Sequence, residues 1–299
     1  MDKAAIDADL VARLIASQFP QWADLAVTPV ERDGWDNSTF RLGPEMSVRM
    51  PTRAQDALSV DKEQRWLPLL ARGLPLPIPR PLARGEPGLG FPRPWSVYSW
   101  LPGDTLEVAP VQDDDQLARD LGNWLSALYK IDATGGPSPG VHNWGRGGPI
   151  EVYDADARKA FSALEGLIDT DRARAVMDAA VAATWPGPPV WFHGDVAAGN
   201  LLVEQGRLSA VIDFGTCGVG DPACDCVIAW THFGESSRAL FKAALPFDEA
   251  TWARGRGWGL WKAAIVLVRA LDTDPLDAAA TRNVIEAILD DDQQSQPSN

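Results

Sequence analysis

Cysteine is scarce, with three thiols, Cys217, Cys224 and Cys226, in 299 residues. An odd, small number in a chain of this length is no disulfide framework. The C-x-C-x5-H spacing that links Cys224 and Cys226 to His232 matches no usual zinc pattern, which leaves a zinc-dependent hydrolase as a marginal alternative. Bases are short too: 27 Lys+Arg stand against 41 Asp+Glu, for a formal net charge of -14 and a pI near 4.6. A chain so acidic is a poor partner for nucleic acid held through its phosphates, and for anionic membrane surfaces. Apolar runs are broken by Gly, Arg or Lys well short of about 18 residues, so no spanning helix is expected. The opening MDKAAIDADLVARLIASQF has no basic region leading into an apolar one, so no signal peptide is read and a soluble, cytoplasmic protein is expected. No internal repeat is visible.

What is present supports a packed protein. Hydrophobic residues make up 45% and charged residues 23%, enough for a sizeable core in one large or two small units. The 26 Gly and 24 Pro predict a loop-rich fold. Residues 1–100 hold 12 acids and 12 bases, so the whole excess falls in 101–299, with 29 acids and 15 bases. Such a field attracts a cationic small molecule.

Apolar spacing predicts a helix over 2–18, then short strands at 28–32, 38–42 and 46–50, read as a small antiparallel sheet. A second helix is expected over 54–70, with Leu58, Lys62, Trp66 and Leu69 or Leu70 on one face. PLPIPRP, residues 75–81, is a rigid extended connector, because its four prolines remove donors. A strand follows in WSVYSWLPG, residues 95–103, and its Pro-Gly turn marks the candidate boundary between residues 1–100 and 101–299. Beyond it helices are predicted over 113–130, 153–168, 172–184, 222–233, within 248–271, and over 276–290. Two short strands, near 201–203 and 209–212, interrupt them. The segment 133–150, with six glycines and three prolines, is a loop or lid, and residues 290–299 are expected to fray. This pattern describes an α+β, two-lobed protein with a cleft.

The chemistry concentrates in PVWFHGDVAAGNLLVEQGRLSAVIDFG, residues 189–215. His193-Gly194-Asp195, Asn200 five residues after the Asp, a strand pair, and Asp213-Phe214-Gly215 repeat the order of a kinase catalytic loop and metal-binding turn. Phosphoryl transfer needs a carboxylate near the attacking hydroxyl and hard oxygen ligands for Mg2+. Asp195 suits the first task, Asn200 and Asp213 the second. His193 is read as structural. Asp221 before Pro222 reads as a helix cap with Asp225 in the first turn, both supporting the catalytic loop.

With HGDVAAGNLLV, VIDFG and GDPACD in view, the chain closely resembles the aminoglycoside phosphotransferase-like family, small-molecule kinases with a protein-kinase-like fold that include aminoglycoside, macrolide, choline and homoserine kinases. The likeness runs from about residue 30 to 270. It implies a bilobal α+β fold, with a small antiparallel-sheet N-terminal lobe for nucleotide and a larger, mainly helical C-terminal lobe for catalysis and acceptor. It also implies Asp195 as catalytic base and Asn200 and Asp213 as metal ligands. A phosphate loop corresponds to Gly34, Trp35, Asp36, Asn37, Ser38 and Thr39, although no G-x-G-x-x-G is present. The strand lysine of kinases is replaced by Arg49, with Glu63 as its ion-pair partner, both assigned to the catalytic set. The purine of ATP or GTP falls against the connector Tyr98, Ser99, Trp100 and Leu101, through backbone groups.

The expected reaction is Mg2+-dependent transfer of the γ-phosphoryl group of ATP or GTP to a small-molecule hydroxyl. A cationic antibiotic, an aminoglycoside or amino macrolide, is the leading acceptor. An endogenous metabolite kinase and a non-catalytic nucleotide-binding regulator are the alternatives. Trp230, Trp252, Trp258 and Trp261 are read as core or as ligand cover, and Asp272, Asp274 and Asp277 as a solvated face or as amine contacts. The oligomeric state is left open.

Overall fold

The computed structural model describes residues 3–31 and 33–295. Helix α1 (Ala8–Gln18) starts where Asp7 accepts a hydrogen bond from the Leu10 N–H, an N-cap. Its Leu10, Val11, Leu14 and Ile15 are buried and pack on a sheet formed by β1 (Val27–Pro29), β2 (Asn37–Leu42) and β3 (Met46–Pro51). Helix α2 (Leu58–Leu70) crosses next, and the proline connector then delivers β4 (Pro81–Gly85) and β5 (Trp95–Ser99). The five strands pair antiparallel in the order β1-β2-β3-β5-β4. The antiparallel lobe is as expected, with β4 an addition: Pro81 opens it, where the missing N–H costs least. The expected helix start at Asp2 and strand end at Arg32 lie outside the described residues.

The face of α2 follows the spacing argument at Lys62, Trp66 and Leu70 and departs from it at Leu58. Leu58 and Leu69 are exposed, while Lys62, Glu63, Trp66, Leu67 and Leu70 are buried. Two adjacent charges are turned inward because Lys62 meets the Gly215 and Cys217 carbonyls across the cleft and Glu63 meets Arg49 and the Tyr98 hydroxyl of its own lobe's sheet. Trp66, Leu67 and Leu70 join the core of the second lobe, so α2 belongs by sequence to one lobe and by packing to both.

The second lobe begins with β6 (Asp104–Thr105) and α3 (Asp114–Leu128), followed by the Gly-rich loop, α4 (Asp154–Ala163) and α5 (Thr170–Ala182). Strand β7 (Val190–Phe192) leads into the motif segment, β8 (Leu201–Glu204) and β9 (Arg207–Val211) form its hairpin, and β10 (Gly218–Gly220) returns to pair with β7. Residues 222–227 form a 3-10 turn before the short α6 (Ile228–Thr231), rather than one continuous helix. The lobe closes with α7 (Glu235–Ala244), α8 (Glu249–Ala270) and α9 (Pro275–Ser295). Helix α7 was not predicted. The expected fraying is corrected for residues 290–295, which continue α9: buried Asp291 accepts from Lys242 at 3.1 Å and from Arg256 at 3.1 Å.

Part of the acidic surplus has local work. Asp113, Asp169, Asp221 and Asp248 each cap a helix N-terminus through the side chain, where both the exposed N–H groups and the helix dipole favour a carboxylate. Asp274 caps the turn into α9, while Asp272, Asp274 and Asp277 remain on an exposed face. Trp230, Trp252, Trp258 and Trp261 are all buried, which is the core reading of those rings. No helix among the described residues is long and apolar enough to cross a membrane.

Candidate active site

Strand β7 delivers His193 into the core, where it is fully buried. Its Nδ1 accepts the Asp195 N–H at 3.2 Å, so Nε2 carries the proton and donates to the Ile212 carbonyl at 3.0 Å. The ring is thus a strut between the Asp195 turn and the strand that ends at Asp213. Asp225 completes the turn: its two carboxylate oxygens accept the N–H groups of His193 at 3.0 Å and Gly194 at 2.7 Å. Burial pushes the Asp225 carboxyl above its ordinary range, against the pull of His193 and the backbone donors. Gly194 has φ +86, and a Cβ there would lie 2.8 Å from the Thr216 carbonyl oxygen. Only glycine fits such a turn.

Asp195 leaves this frame with its side chain 35% exposed. Its Oδ2 accepts from Asn200 Nδ2 at 3.1 Å, and Asn200 Nδ2 also donates to the Asp195 carbonyl at 2.9 Å. Its Oδ1 accepts from Lys262 Nζ at 2.9 Å. Burial raises the carboxyl, but the Lys262 ammonium outweighs it and holds Asp195 below the usual range. The Ile212 N–H donates to the Asn200 carbonyl at 2.9 Å, so the β8–β9 hairpin returns Asp213 beside Asn200.

Asp213 is a non-glycine residue at φ +63. Its Oδ1 accepts from Arg49 Nη2 at 2.8 Å, and the guanidinium overcomes burial to keep the carboxyl low. Arg49 is therefore more tightly tied to Asp213 than to Glu63, whose Oε2 is 3.8 Å from Nη1. Glu63 also accepts the Tyr98 hydroxyl. The expected Arg49–Glu63 pair is thus part of a chain Tyr98–Glu63–Arg49–Asp213 that crosses the cleft.

The remaining first-lobe residues are placed differently. Strand β2 begins at Asn37, so Asn37, Ser38 and Thr39 are its opening residues, paired with Pro51, Met50 and Arg49, and not part of the turn at Gly34, Trp35 and Asp36. Asn37 and Ser38 are buried as a result of that pairing. The turn itself is open, with Trp35 95% exposed. In the connector, the Tyr98 ring is buried toward Glu63 and Trp100 lies under Arg41, 3.9 Å from its guanidinium carbon. The N–H groups of Ser99 and Trp100 are already taken by the Arg80 and Glu45 carbonyls, at 2.9 and 2.7 Å. Those two donors are therefore not free for a purine; the Leu101 backbone remains.

Sequence reasoning missed three cations. Lys62 donates to the carbonyls of Gly215 at 2.7 Å and Cys217 at 3.0 Å, tying α2 to the turn after Asp213. Arg254 makes a buried, two-pronged pair with Asp221, Nε to Oδ2 at 2.6 Å and Nη2 to Oδ1 at 3.2 Å. Lys262 is the third. A lone Lys in GWGLWKAAIVLV, an otherwise uncharged stretch of α8, was the available signal. The three thiols are free and buried, and burial pushes Cys217 up to about 11. Cys224, Cys226 and His232 do not converge on a metal site, and His232 lies 3.7 Å from Asp114.

Comparison with known proteins bears on the fold and the family. An uncharacterized protein of Bacillus subtilis (strain 168), YcbJ, is 28% identical over 163 residues, 54% of this chain and 51% of that protein. The match thus spans about half of that relative's length. In fold, the chain is similar to the GDP complex of wild-type aminoglycoside 2'-phosphotransferase-IIIa, with a TM-score of 0.69 at 20% identity over 96% of this chain and 100% of the other. It is also similar to macrolide 2'-phosphotransferase MphH from Brachybacterium faecium, with a TM-score of 0.58 at 23% identity over 97% and 99%. The family described as "Phosphotransferase enzyme family" matches residues 27–258, most of the chain and every residue of the motif segment, and the protein belongs to that family.

Proposed function

We propose that this protein transfers the γ-phosphoryl group of ATP or GTP to a hydroxyl of a small molecule, with residues 1–100 as the nucleotide lobe and residues 101–299 as the catalytic and acceptor lobe. The observation that carries the reading is the continuous polar chain from Glu63 through Arg49 to Asp213, and the hairpin that sets Asp213 beside Asn200 and Asp195. Asp195 orients the acceptor hydroxyl and takes its proton as the oxygen–phosphorus bond forms and the nucleoside diphosphate leaves. Arg49 faces the phosphates, where its planar fork stabilises developing charge, and Glu63 holds that fork in place. The open turn at Gly34, Trp35 and Asp36 offers backbone donors to phosphate oxygens, since among the described residues these N–H groups have no protein acceptor.

The donor set suits Mg2+. Asn200 spends its amide nitrogen on Asp195, and among the described residues no hydrogen bond reaches Asn200 Oδ1 or Asp213 Oδ2. Both are hard oxygen donors, and Asp213 is kept ionised by Arg49. Mg2+ bound there supplies neutralisation of phosphate charge. A nucleoside triphosphate donor places the reaction in the cytoplasm.

The acceptor class we propose is a cationic antibiotic, an aminoglycoside or amino macrolide. The acidic excess of residues 101–299 and the fold shared with an aminoglycoside and a macrolide phosphotransferase support it. The test is incubation of the protein with ATP or GTP and Mg2+ against pooled aminoglycosides, amino macrolides, choline and homoserine, read by mass spectrometry. A product heavier by one phosphate in the antibiotic pool is expected. Phosphorylation of choline or homoserine alone overturns the acceptor class, and no phosphorylated product with either nucleotide overturns the reaction.

A further inference from the structure

The crevice beside Asp195 is narrow at its base, although Asp195 and Lys262 at its mouth are 35% and 39% exposed. Arg146, Val196, Cys224, Trp258, Trp261 and Lys262 line it around a cavity of about 10 Å³, the room of a single water. Both oxygens of Asp195 are engaged, Oδ2 by Asn200 and Oδ1 by Lys262. A hydroxyl that is to donate to Oδ1 must share that oxygen with the lysine or replace it. The two cations of the crevice differ in their freedom to do so. Arg146 is fixed, with Nε donating to the Gly194 carbonyl at 3.1 Å and its guanidinium carbon 5.2 and 5.1 Å from the rings of Trp258 and Trp261. Lys262 is a point charge on a flexible stem, its side chain 39% exposed.

We propose that Lys262 is a gate on Asp195: its ammonium holds the place of the acceptor hydroxyl in the resting enzyme, and an acceptor that carries an ammonium near its reacting hydroxyl enters by exchanging with it. The proposal rests on the phosphotransfer reading above. Charge favours exchange over addition. A second ammonium entering while Lys262 stays would set two ammonium groups on one carboxylate, whereas a swap conserves the local charge. A neutral acceptor that displaces Lys262 leaves Asp195 without its cation. The gate has a second effect: with Oδ1 covered, no water is oriented for attack on the γ-phosphorus. That side reaction would form a bond from the water oxygen to the γ-phosphorus, break the bond to the β–γ bridging oxygen, and pass the water proton to Asp195.

Lys262→Met keeps the stem and removes the ammonium, and Lys262→Arg keeps a cation. The experiment measures release of inorganic phosphate from ATP and GTP with Mg2+ and no acceptor, for wild type, both variants and the double variant Asp195→Asn/Lys262→Met, with a thermal melt of each. Lys262→Met is expected to hydrolyse nucleotide at least about tenfold faster than wild type, because a water now meets a positioned base. Lys262→Arg should stay near wild type, and the double variant should lose the gain. Loss of packing alone would slow hydrolysis, so the sign of the change separates a gate from a structural contact. Hydrolysis in wild type that Lys262→Met leaves unchanged or slows overturns the gate alone. Absence of hydrolysis in every variant overturns the gate, while the phosphotransfer reading falls only if the pooled acceptors also yield no phosphorylated product.

Discussion

The Gly194 turn and the Gly34 turn carry parts of one site and are built in opposite ways. At Gly194 the backbone is pinned from below by the Asp225 carboxylate and from the side by His193, and a Cβ has no room. At Gly34 a Cβ would meet nothing within 4 Å. That turn is held by surface ion pairs, Lys3 with Asp33 and Arg53 with Asp36, which contribute little in water. The difference teaches where preorganisation is needed. On the proposed reading, the group that accepts a proton must be in place before the substrate arrives, and its frame is buried and hydrogen-bonded. The groups that meet phosphate can wait for the ligand, because the ligand brings the missing acceptors.

The sharpest way to break the contrast is to unpair the frame. Arg254→Met leaves Asp221 buried without its cation, at a cost of about 3–5 kcal/mol. The melting temperature should fall by roughly 5–15 °C, read by calorimetry. Next in size, Gly194→Ala forces a left-handed backbone on alanine and drives Cβ into the Thr216 carbonyl, and should lose about 2 kcal/mol or more. Gly34→Ala is the control, expected to change stability by less than about 0.5 kcal/mol while raising the nucleotide KM several-fold. Equal melting temperatures for the two alanine variants would erase the comparison. The smallest effect belongs to Arg49→Lys, which keeps a charge but loses the planar fork. A fall in turnover of about threefold to tenfold is expected with an unchanged melt. Wild-type turnover would make Arg49 a structural tie to Asp213 only.

The same contrast explains what could be read from the sequence. The frame was legible because it is nearly contiguous. His193, Asp195, Asn200 and Asp213 flank one hairpin, so short spacing sets their neighbourhood, and Asp221-Pro222 carries its own capping signal. The partners that arrive from afar were not legible. Lys262 reaches Asp195 across 67 residues and Arg254 reaches Asp221 across 33, and no local periodicity encodes such meetings. The face of α2 was read correctly at Lys62, Trp66 and Leu70 and wrongly at Leu58, while Glu63 was missed as an inward residue because its partners Arg49 and Tyr98 lie on the sheet and not on the helix. The acidic run at residues 290–292 looked like a frayed end, yet Asp291 is buried by Lys242 and Arg256. Helix α7 was missed although half of its residues are apolar, and only Ser237 and Phe241 of it are buried.

The most direct test of the account is Asp195→Ala, measured for turnover on the best acceptor of the pooled screen and, in parallel, for nucleotide affinity and melting temperature. Because Asp225 and His193 hold the turn without the Asp195 side chain, the variant should melt close to wild type and bind nucleotide within a few-fold. Its turnover should fall by at least about 10²-fold. Near wild-type turnover in a folded, nucleotide-binding Asp195→Ala protein would contradict the assignment of the base and the active site built around it.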